Sequence, residues 1–373
     1  MNSNGLKVLV FVPHFFKQGG VALFYKSLRP FFGSNFKYFF RGNRSSNNEN
    51  WAIFNYFIDY IKFLIHLLFH KTDFILINTS LAKSGCSRDA VFIYILKLFH
   101  KDFMVFFHGW NKDYEQRIET NKGFNKFPLN QFKKASSVIV LAKDFKSKLE
   151  SWGFDQKIYL EKTVVENNLI EGYVNPTKKF LDESIFTFIF LARVEKAKGI
   201  IEALKIFRQI QLINPSKKMQ FKIGGEGSFL KLAKDFVAMN NIHNVHFLGH
   251  VEGLEKRLLL EEGHFLLFPS YSEGMPLSVL EAMAFGIPCM VTAVGGLKDF
   301  FVDKEMGVLL EDLDITKAVD NVNAIINDQN WLIEISNKNY HFAQENFLAS
   351  HVAESLKELI VDVYKMKSNA PKF

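Results

Sequence analysis

Short apolar runs typical of β-strands alternate with helix-like segments along the whole chain. Six of these runs lie in the first half, at Lys7–Val12, Lys37–Phe40, Phe74–Ile77, Met104–Phe107, Val138–Leu141 and Ile158–Leu160. Six more lie in the second half, at Phe186–Leu191, Gln220–Ile223, Val245–Leu248, Phe265–Phe268, Ile287–Val291 and Gly307–Leu310. Strands that alternate with helices form parallel sheets flanked by helices. We therefore predict an α/β protein with two doubly wound domains that face a central cleft.

The domain boundary is expected in a polar stretch, Gly172–Ser184, which contains Asn175-Pro176 and two lysines. At 373 residues the chain is long enough for two domains of ordinary size. We predict a first domain over residues 1–175 and a second over residues 176–347. The last helix-like run, within residues 348–373, is expected to pack back on the first domain.

The net charge of +7 is unevenly distributed. Residues 1–175 hold 24 Lys and Arg against 14 Asp and Glu, a net +10, and the remaining residues hold 22 against 25, a net −3. A basic first half favours an anionic membrane surface or a phosphorylated acceptor as partner. The chain has no aromatic-basic motif of a nucleic-acid-binding module, so nucleic acid is not expected. A merely solvated basic surface is the alternative.

Cysteine usage and the start of the chain both favour a cytoplasmic location. Cys86 and Cys289 cannot form a disulfide framework and show no metal-ligand spacing, which fits a reducing compartment. The polar start MNSNG runs directly into a strand, without the charged, apolar and small-residue order of a signal peptide.

The most apolar segment is Trp51–Phe69. Asn55, Asp59, Lys62 and His66 recur in it every three or four residues and form one polar stripe on an otherwise apolar helix. A membrane-spanning helix would not usually carry that stripe. The helix is therefore expected either to be mostly buried or to lie at a membrane surface.

The segment FPSYSEGMPLSVLEAMAFGIP, Phe268–Pro288, carries two glutamates across a strand-loop-helix junction. Glu273 falls in the loop at the carboxyl end of a strand, where parallel sheets bind ligands. Glu281 falls about two turns into the helix, whose first turn suits Pro276. A helix N-terminus suits a phosphate, and an acid beside it can receive hydroxyls. Together these features indicate a nucleotide or a nucleotide sugar, although two solvated acids are the plainer interpretation.

Other candidates follow strands elsewhere in the chain. Arg193 and Lys198 come after the first strand of the second half, where two cations can clamp a diphosphate. The glycine turn of FKIGGEGSF, residues 221–229, allows close backbone approach but lacks the spacing of a dinucleotide fingerprint. His108 ends a strand of the first half, and Gly19-Gly20 precede a helix. Solvated cations, a structural histidine and a plain turn are the alternative explanations.

Taken in order, these motifs resemble the family-four retaining glycosyltransferases of glycosyl transferases group 1. That family has the GT-B fold of two Rossmann-like domains. The resemblance covers most of the chain and rests on Gly19-Gly20, His108-Gly109, Arg193 with Lys198-Gly199, Gly224 to Gly227, FLGHV at Phe247–Val251, the glutamate segment and Gly295-Gly296. Each motif is weak alone, whereas the ordered set is specific.

The resemblance implies a role for each matching residue. Arg193 and Lys198 would bind the donor diphosphate, Glu281 the ribose hydroxyls and Glu273 the transferred sugar, with His108 beside that sugar. The remaining donor-binding residues would be three glycines, two residues of the base pocket and the segment that leads into the helix. They are Gly19, Gly20 and Gly225, then His250 and Val251, then Gly274, Met275, Pro276, Leu277 and Ser278. No metal and no cofactor are implied, since the donor is itself a nucleotide-diphosphate sugar.

The expected function is retaining sugar transfer to a glycan or glycolipid acceptor in cell-surface polysaccharide biosynthesis. The protein is expected in the cytoplasm, with peripheral contact to an anionic membrane at its inner face. A nucleotide-sugar epimerase of the same architecture and a non-catalytic nucleotide-sugar-binding subunit are the alternatives.

Overall fold

The computed structural model describes residues 5–16, 19–42, 49–120, 126–181 and 185–368, excluding the side chains of 49–54 and 126. The chain forms two compact units. The first comprises Met1–Thr163 and Ala349–Phe373, and the second comprises Val164–Leu348.

The first unit contains a six-stranded parallel sheet in the order β2-β1-β3-β4-β5-β6. Its elements in chain order are β1 (Val8–Pro13), α1 (Gly20–Leu28), β2 (Phe36–Arg41), α2 (Glu49–Phe69), β3 (Phe74–Leu81), α3 (Lys83–Leu98), β4 (Phe103–Trp110), α4 (Lys112–Thr120), α5 (Lys126–Phe132), β5 (Ser137–Val140), α6 (Lys143–Ser151) and β6 (Ile158–Leu160). The strand order reverses between β1 and β3. In open parallel sheets such a reversal opens a ligand crevice at the carboxyl ends of the strands.

The second unit contains another six-stranded parallel sheet, in the order β12-β11-β10-β7-β8-β9. Its elements are α7 (Asn167–Ile170), β7 (Phe186–Leu191), α8 (Ile200–Ile213), β8 (Met219–Gly224), α9 (Leu230–Met239), β9 (Val245–Gly249), α10 (Gly253–Glu262), β10 (Phe265–Phe268), α11 (Leu277–Ala284), β11 (Cys289–Thr292), β12 (Gly307–Leu310), α12 (Ile315–Ile326) and α13 (Gln329–Phe347). Here the order reverses between β7 and β10, so the loops after these two strands lie side by side.

The predicted α/β fold class is confirmed, and each of the twelve predicted strand runs lies at an observed strand. The central strands are buried on both faces, as in β7, where all six residues are buried. Such strands read as continuous apolar runs rather than alternating ones. This is why the sequence pattern located them reliably.

The last helix, α14 (Ala349–Ser368), belongs to the first unit. Ser355 Oγ on this helix donates to Glu161 Oε2 at 2.9 Å. The Tyr364 ring lies 6.1 Å from that of Phe74, centroid to centroid, in an edge-on contact.

The division between the units falls after Thr163, earlier than the predicted boundary at 175/176. The backbone N–H of Val165 donates to Phe347 O at 2.7 Å, and Leu169 and Ile170 are buried in a core of the second unit. Contacts with residues distant in sequence hold this segment in the second unit. Local polarity does not report such contacts, and it therefore indicated a later boundary. Residues 182–184 of the predicted linker lie outside the described residues.

A single buried amide ties α13 to the sheet of the second unit. Asn339 is fully buried, and its Nδ2 donates to Ile287 O at 3.0 Å and to Met306 O at 2.9 Å. These carbonyls precede β11 and β12. The side chain therefore satisfies two polar groups that have no access to water.

We expect Asn339→Ala to lower the free energy of unfolding of the second unit by about 1–3 kcal/mol, because it removes two buried hydrogen bonds. Asn337→Ala, at an exposed position of the same helix, is the matched control and should change it by less than about 0.5 kcal/mol. Urea unfolding of both variants measures the difference. Equal midpoints for the two variants would contradict the role given to Asn339.

Candidate active site

The loops after β7 and β10 are joined at the carboxyl edge of the second sheet. A 3₁₀ turn, Lys196–Lys198, follows β7, and Ala197 O in this turn accepts from Ser270 Oγ at 3.0 Å. Gly199 ends the turn with φ +72°, and a Cβ there would lie 2.0 Å from Pro269 O. Only glycine therefore allows the two loops to approach this closely.

Lys198 and Glu273 meet at this junction. Lys198 Nζ lies 2.5 Å from Glu273 Oε1, and Ser270 Oγ lies 2.8 Å from the same oxygen, so the single Ser270 hydroxyl proton is shared between Glu273 and Ala197 O. The two charged side chains are only 17% and 10% exposed. A lysine ammonium has three N–H donors. Lys198 can therefore hold Glu273 and still donate to an anion.

Glu281 lies on α11 but is held by a different cation. Its carboxylate is 5% exposed and lies 2.6 Å from Nζ of Lys256 on α10. Burial raises the pKa of the Glu281 carboxyl, and the Lys256 ammonium opposes that rise. The sequence analysis missed Lys256, because a lysine on a helix usually indicates a solvated face. Ser270 was missed as well, since one serine in a turn carries no distinctive signal.

Arg193 is not part of the Lys198–Glu273 pair. Its guanidinium is 71% exposed and pairs with Glu195 at 2.7 Å. An exposed ion pair of this kind contributes at most about 1 kcal/mol. Breaking the Arg193–Glu195 pair so that Arg193 could bind an anionic ligand would therefore cost little free energy.

Three of the predicted donor-binding residues, Gly225, His250 and Val251, divide into packing and exposed positions. Gly225 has φ +144°, and a Cβ there would lie 1.8 Å from Ala192 O. The Gly225 N–H donates to Gly249 O at 2.6 Å, so the chain's own loops account for this glycine. Val251 is buried in the core, whereas the side chain of His250 is 48% exposed. Of the three predicted residues, only His250 presents a polar side chain to solvent.

The first turn of α11 forms the other wall of the junction. The helix begins at Leu277, and Pro276 is its N-cap rather than a residue of its first turn. No side chain caps the helix N-terminus. Gly274 is anchored through its carbonyl, which accepts from Gly296 N at 2.7 Å. Gly274 and Met275 are half-buried and Ser278 is buried, so the N-terminal amides lie in a partly desolvated setting that suits a phosphate.

In the first unit, His108 lies at one end of a buried hydrogen-bond network. Asn78 Nδ2 donates to Phe11 O at 2.8 Å, which fixes the orientation of the amide. Asn78 Oδ1 then accepts two hydrogen bonds, from Tyr25 Oη at 2.8 Å and from His108 Nε2 at 2.8 Å. The sequence analysis missed Asn78, although an asparagine in the apolar strand FILINTSL is a recognisable signal.

This network determines the protonation of His108. Because Asn78 Oδ1 can only accept, Nε2 must carry the proton and Nδ1 is left as the acceptor of the ring. Burial, together with the nearby positive charge of Arg41, lowers the His108 pKa to about 3. The imidazole is therefore neutral near neutral pH and can accept a hydrogen bond from a ligand hydroxyl.

Gly19 and Gly20 lie at the N-terminus of α1 and are both exposed. A Cβ added at either position would meet no heavy atom within 4 Å. In contrast to Gly225, no packing contact among the described residues requires these glycines. Gly19 has φ +156°, a backbone conformation that favours glycine.

Comparison with known proteins agrees with this geometry. Residues 175–343 match the family model described as glycosyl transferases group 1. The chain is 24% identical over 265 residues to the capsular polysaccharide biosynthesis glycosyltransferase CapM of Staphylococcus aureus, covering 65% of this chain and 67% of CapM. The matched regions of the first three curated relatives span 46%, 67% and 61% of their lengths.

Solved structures share the fold across nearly the whole chain. Sucrose-phosphate synthase from Thermosynechococcus elongatus superposes with a TM-score of 0.76 at 16% identity, covering 97% of this chain and 100% of that one. Anabaena HepE in complex with UDP and glucose gives 0.70 at 15% identity, covering 95% and 99%.

The two six-stranded parallel sheets and the superposed structures thus define a GT-B-type α/β protein. Residues 175–343, a little under half of the chain, match the glycosyl transferases group 1 family, and the resemblance drawn from the motifs is confirmed.

The His108 tautomer can be tested with Asn78→Asp. In the wild-type protein we expect the Nε2–H tautomer throughout pH 5–8, since a pKa of about 3 keeps the ring neutral there. An aspartate at position 78 would stabilise the imidazolium and raise the pKa, so the variant ring should become protonated as the pH falls. Nitrogen-15 NMR of histidine-labelled protein distinguishes these states.

The His108 signal can be assigned with His108→Gln, and Asn337→Asp is a control at an exposed position. The control should leave the His108 signal unchanged. A wild-type imidazolium near pH 6, or an Nδ1–H tautomer, would contradict the hydrogen-bond assignment.

Proposed function

We propose that this protein is a retaining glycosyltransferase that moves a sugar from a nucleotide-diphosphate sugar to a glycan or glycolipid acceptor. The observation that carries the proposal is the buried Lys198–Glu273 pair beside the uncapped N-terminus of α11. These groups can bind a diphosphate and sugar hydroxyls at one place, within the region that matches the group 1 family.

Four side chains share the binding of the donor. Lys198 and the first amides of α11 bind the diphosphate, and Arg193 joins them by exchanging its exposed partner Glu195. Glu273 accepts hydroxyls of the transferred sugar. Glu281 accepts the ribose hydroxyls, with Lys256 keeping its buried carboxylate ionised. The UDP and glucose complex of HepE supports a nucleotide sugar as the ligand class.

Charge stabilisation is the main contribution of the protein to the reaction. Cleavage of the bond from the anomeric carbon to the diphosphate oxygen builds negative charge on the leaving group. Preorganised donors such as Lys198 and the α11 amides stabilise that charge, each by roughly 3–4 kcal/mol. The acceptor oxygen then bonds to the anomeric carbon on the same face, and its proton passes to the leaving phosphate. Because protein groups supply the positive charge, the proposed reaction needs neither metal nor cofactor.

His108 contributes positioning in this scheme. Its neutral ring presents Nδ1 as an acceptor, which suits a hydrogen bond from a substrate hydroxyl rather than proton donation. We propose that the acceptor is a glycan or a lipid-linked glycan of a cell-surface polysaccharide, as the named role of CapM suggests. The reaction would take place in the cytoplasm at the inner face of the membrane.

Lys198→Ala should lower donor turnover at least tenfold, which corresponds to about 1.4 kcal/mol of barrier. The reason is the loss of a positive charge beside the leaving diphosphate. Release of nucleoside diphosphate from a panel of nucleotide sugars measures the change, with and without an acceptor. Lys196→Ala removes an exposed lysine of the same turn and should leave turnover unchanged. Equal activity of the two variants would contradict the site assignment, and acceptor-independent isomerisation of the donor would indicate an epimerase.

Lys256→Met should make donor turnover depend on pH through Glu281. Burial already raises the Glu281 pKa, and removal of Lys256 lets it rise further. The carboxyl then becomes protonated and loses its acceptor capacity as the pH falls, so turnover should decrease at lower pH and recover as the pH rises. A pH profile of kcat/KM checks this.

Arg257→Met is the control on the same helix, since Arg257 pairs with Glu261 at 2.8 Å instead of with Glu281. Its pH profile should match that of the wild type. A Lys256→Met profile that also matches, with the fold intact by circular dichroism, would contradict the role given to Lys256.

A further inference from the structure

Helix α2 exposes a continuous apolar surface. Five of its residues form this α2 apolar face, and they are exposed by 61%, 42%, 49%, 65% and 77%: Phe57, Ile61, Ile65, Leu68 and Phe69. At 3.6 residues per turn these positions share one side of the helix, an arc of about 120°. Large apolar patches on a soluble surface usually mark an interaction site.

The opposite side of α2 is fixed to the first unit. Phe63 and Leu67 are buried against the sheet. Asp59 is buried as well, and its Oδ2 accepts from Gly42 N at 2.7 Å. His66 Nε2 lies 3.1 Å from Thr72 Oγ1. Two members of the predicted polar stripe thus face the protein, and rolling the apolar face inward would break both contacts.

On α2 and on the neighbouring helix α3, the exposed charges among the described side chains are positive. Lys62 is exposed on α2, and Lys83 and Lys97 are exposed on the neighbouring α3. The acids with described side chains on the two helices, Asp59 and Asp89, are buried. Within the described side chains of α2 and α3, no carboxylate is therefore exposed.

Positive charge also continues into the loop after α2, where Lys71 is exposed. The acids in the loops beyond these helices already accept hydrogen bonds: Asp73 from the Lys7 N–H at 2.9 Å and Asp102 from Ser136 Oγ at 3.4 Å. On α3, Tyr94 and Leu98 add exposed apolar surface, at 50% and 63%. Apolar and positive groups are thus combined over two adjacent helices.

We propose that the α2 apolar face, flanked by these lysines, docks on the surface of an anionic phospholipid bilayer. Apolar side chains enter the boundary between headgroups and acyl chains, and lysines bind the anionic headgroups. A second copy of the chain would bring two positive faces together, which is unfavourable. No helix among the described residues is long and apolar enough to cross a membrane. The helix therefore lies in the interface.

The inference rests on the proposed function in one respect, since it names the surface that meets a lipid-linked acceptor. Of the two alternatives for Trp51–Phe69, the inference adopts the membrane surface. Over the described side chains from Asn55 onward, the helix is half-buried and keeps its apolar side for the bilayer.

Vesicle flotation of the full chain tests the inference. Vesicles of phosphatidylcholine with about 30% phosphatidylglycerol should bind the wild-type protein, and binding should weaken as salt screens the lysines. The variant Ile61→Ser/Ile65→Ser/Leu68→Ser should bind at least tenfold less. Leu212→Ser/Ile213→Ser, at two exposed apolar positions of α8, is the matched control and should bind as the wild type does.

Three outcomes would overturn the inference: no binding to anionic vesicles, equal binding by the α2 variant, or salt-independent binding to pure phosphatidylcholine. A dimer in light scattering that only the α2 variant abolishes would also overturn it, in favour of self-association. Donor hydrolysis in solution is measured in parallel and should be unchanged in the α2 variant. Vesicle binding without hydrolysis would count against the proposed glycosyltransferase alone, and hydrolysis without vesicle binding against the docking surface alone.

Discussion

The parallel pairing of β7 with β10 is the constraint on which the site depends. Leu266 pairs with Ile189, although the two residues are distant along the chain. This pairing creates the reversal of strand order and places the 3₁₀ turn of Lys198 against the loop of Glu273. Gly199 then allows contact between the two loops, because any Cβ would collide with Pro269 O. Without this pairing, the cation and the carboxylate would be two unrelated loop residues.

The charged residues of the candidate site differ in how deeply they are buried. Lys198 and Glu273 are partly accessible and joined to each other, so each retains capacity for a ligand. Glu281 and Lys256 are more enclosed and neutralise one another. Arg193 is exposed and held only by its neighbour Glu195. A buried charge requires a partner to avoid a large desolvation penalty. This requirement explains why the structure supplies Lys256, for which the sequence pattern had no signal.

The first unit shows the same dependence on distant partners. The sequence predicts His108 from its place after an apolar run, but its protonation is decided by Asn78, which comes from another strand. On α2, helical spacing locates a polar stripe, yet Asp59 and His66 face the protein, and part of the apolar surface, including Phe57 and Leu68, faces solvent. Amphipathic periodicity identifies two sides of a helix. Which side is buried depends on the packing surfaces and hydrogen-bond partners that the sheet and the neighbouring loops provide.

The sequence by itself determined the strands and the fold class, because strands buried on both faces appear as unbroken apolar runs such as Phe186–Leu191. It also determined the chemical types at the candidate site. Only the tertiary structure decided which charges meet, because ion pairs such as Lys256–Glu281 join separate helices. It also decided that Gly225 serves the packing of two loops while Gly19 and Gly20 border open space. Local patterns report burial and periodicity, whereas pairing depends on the path of the chain in three dimensions.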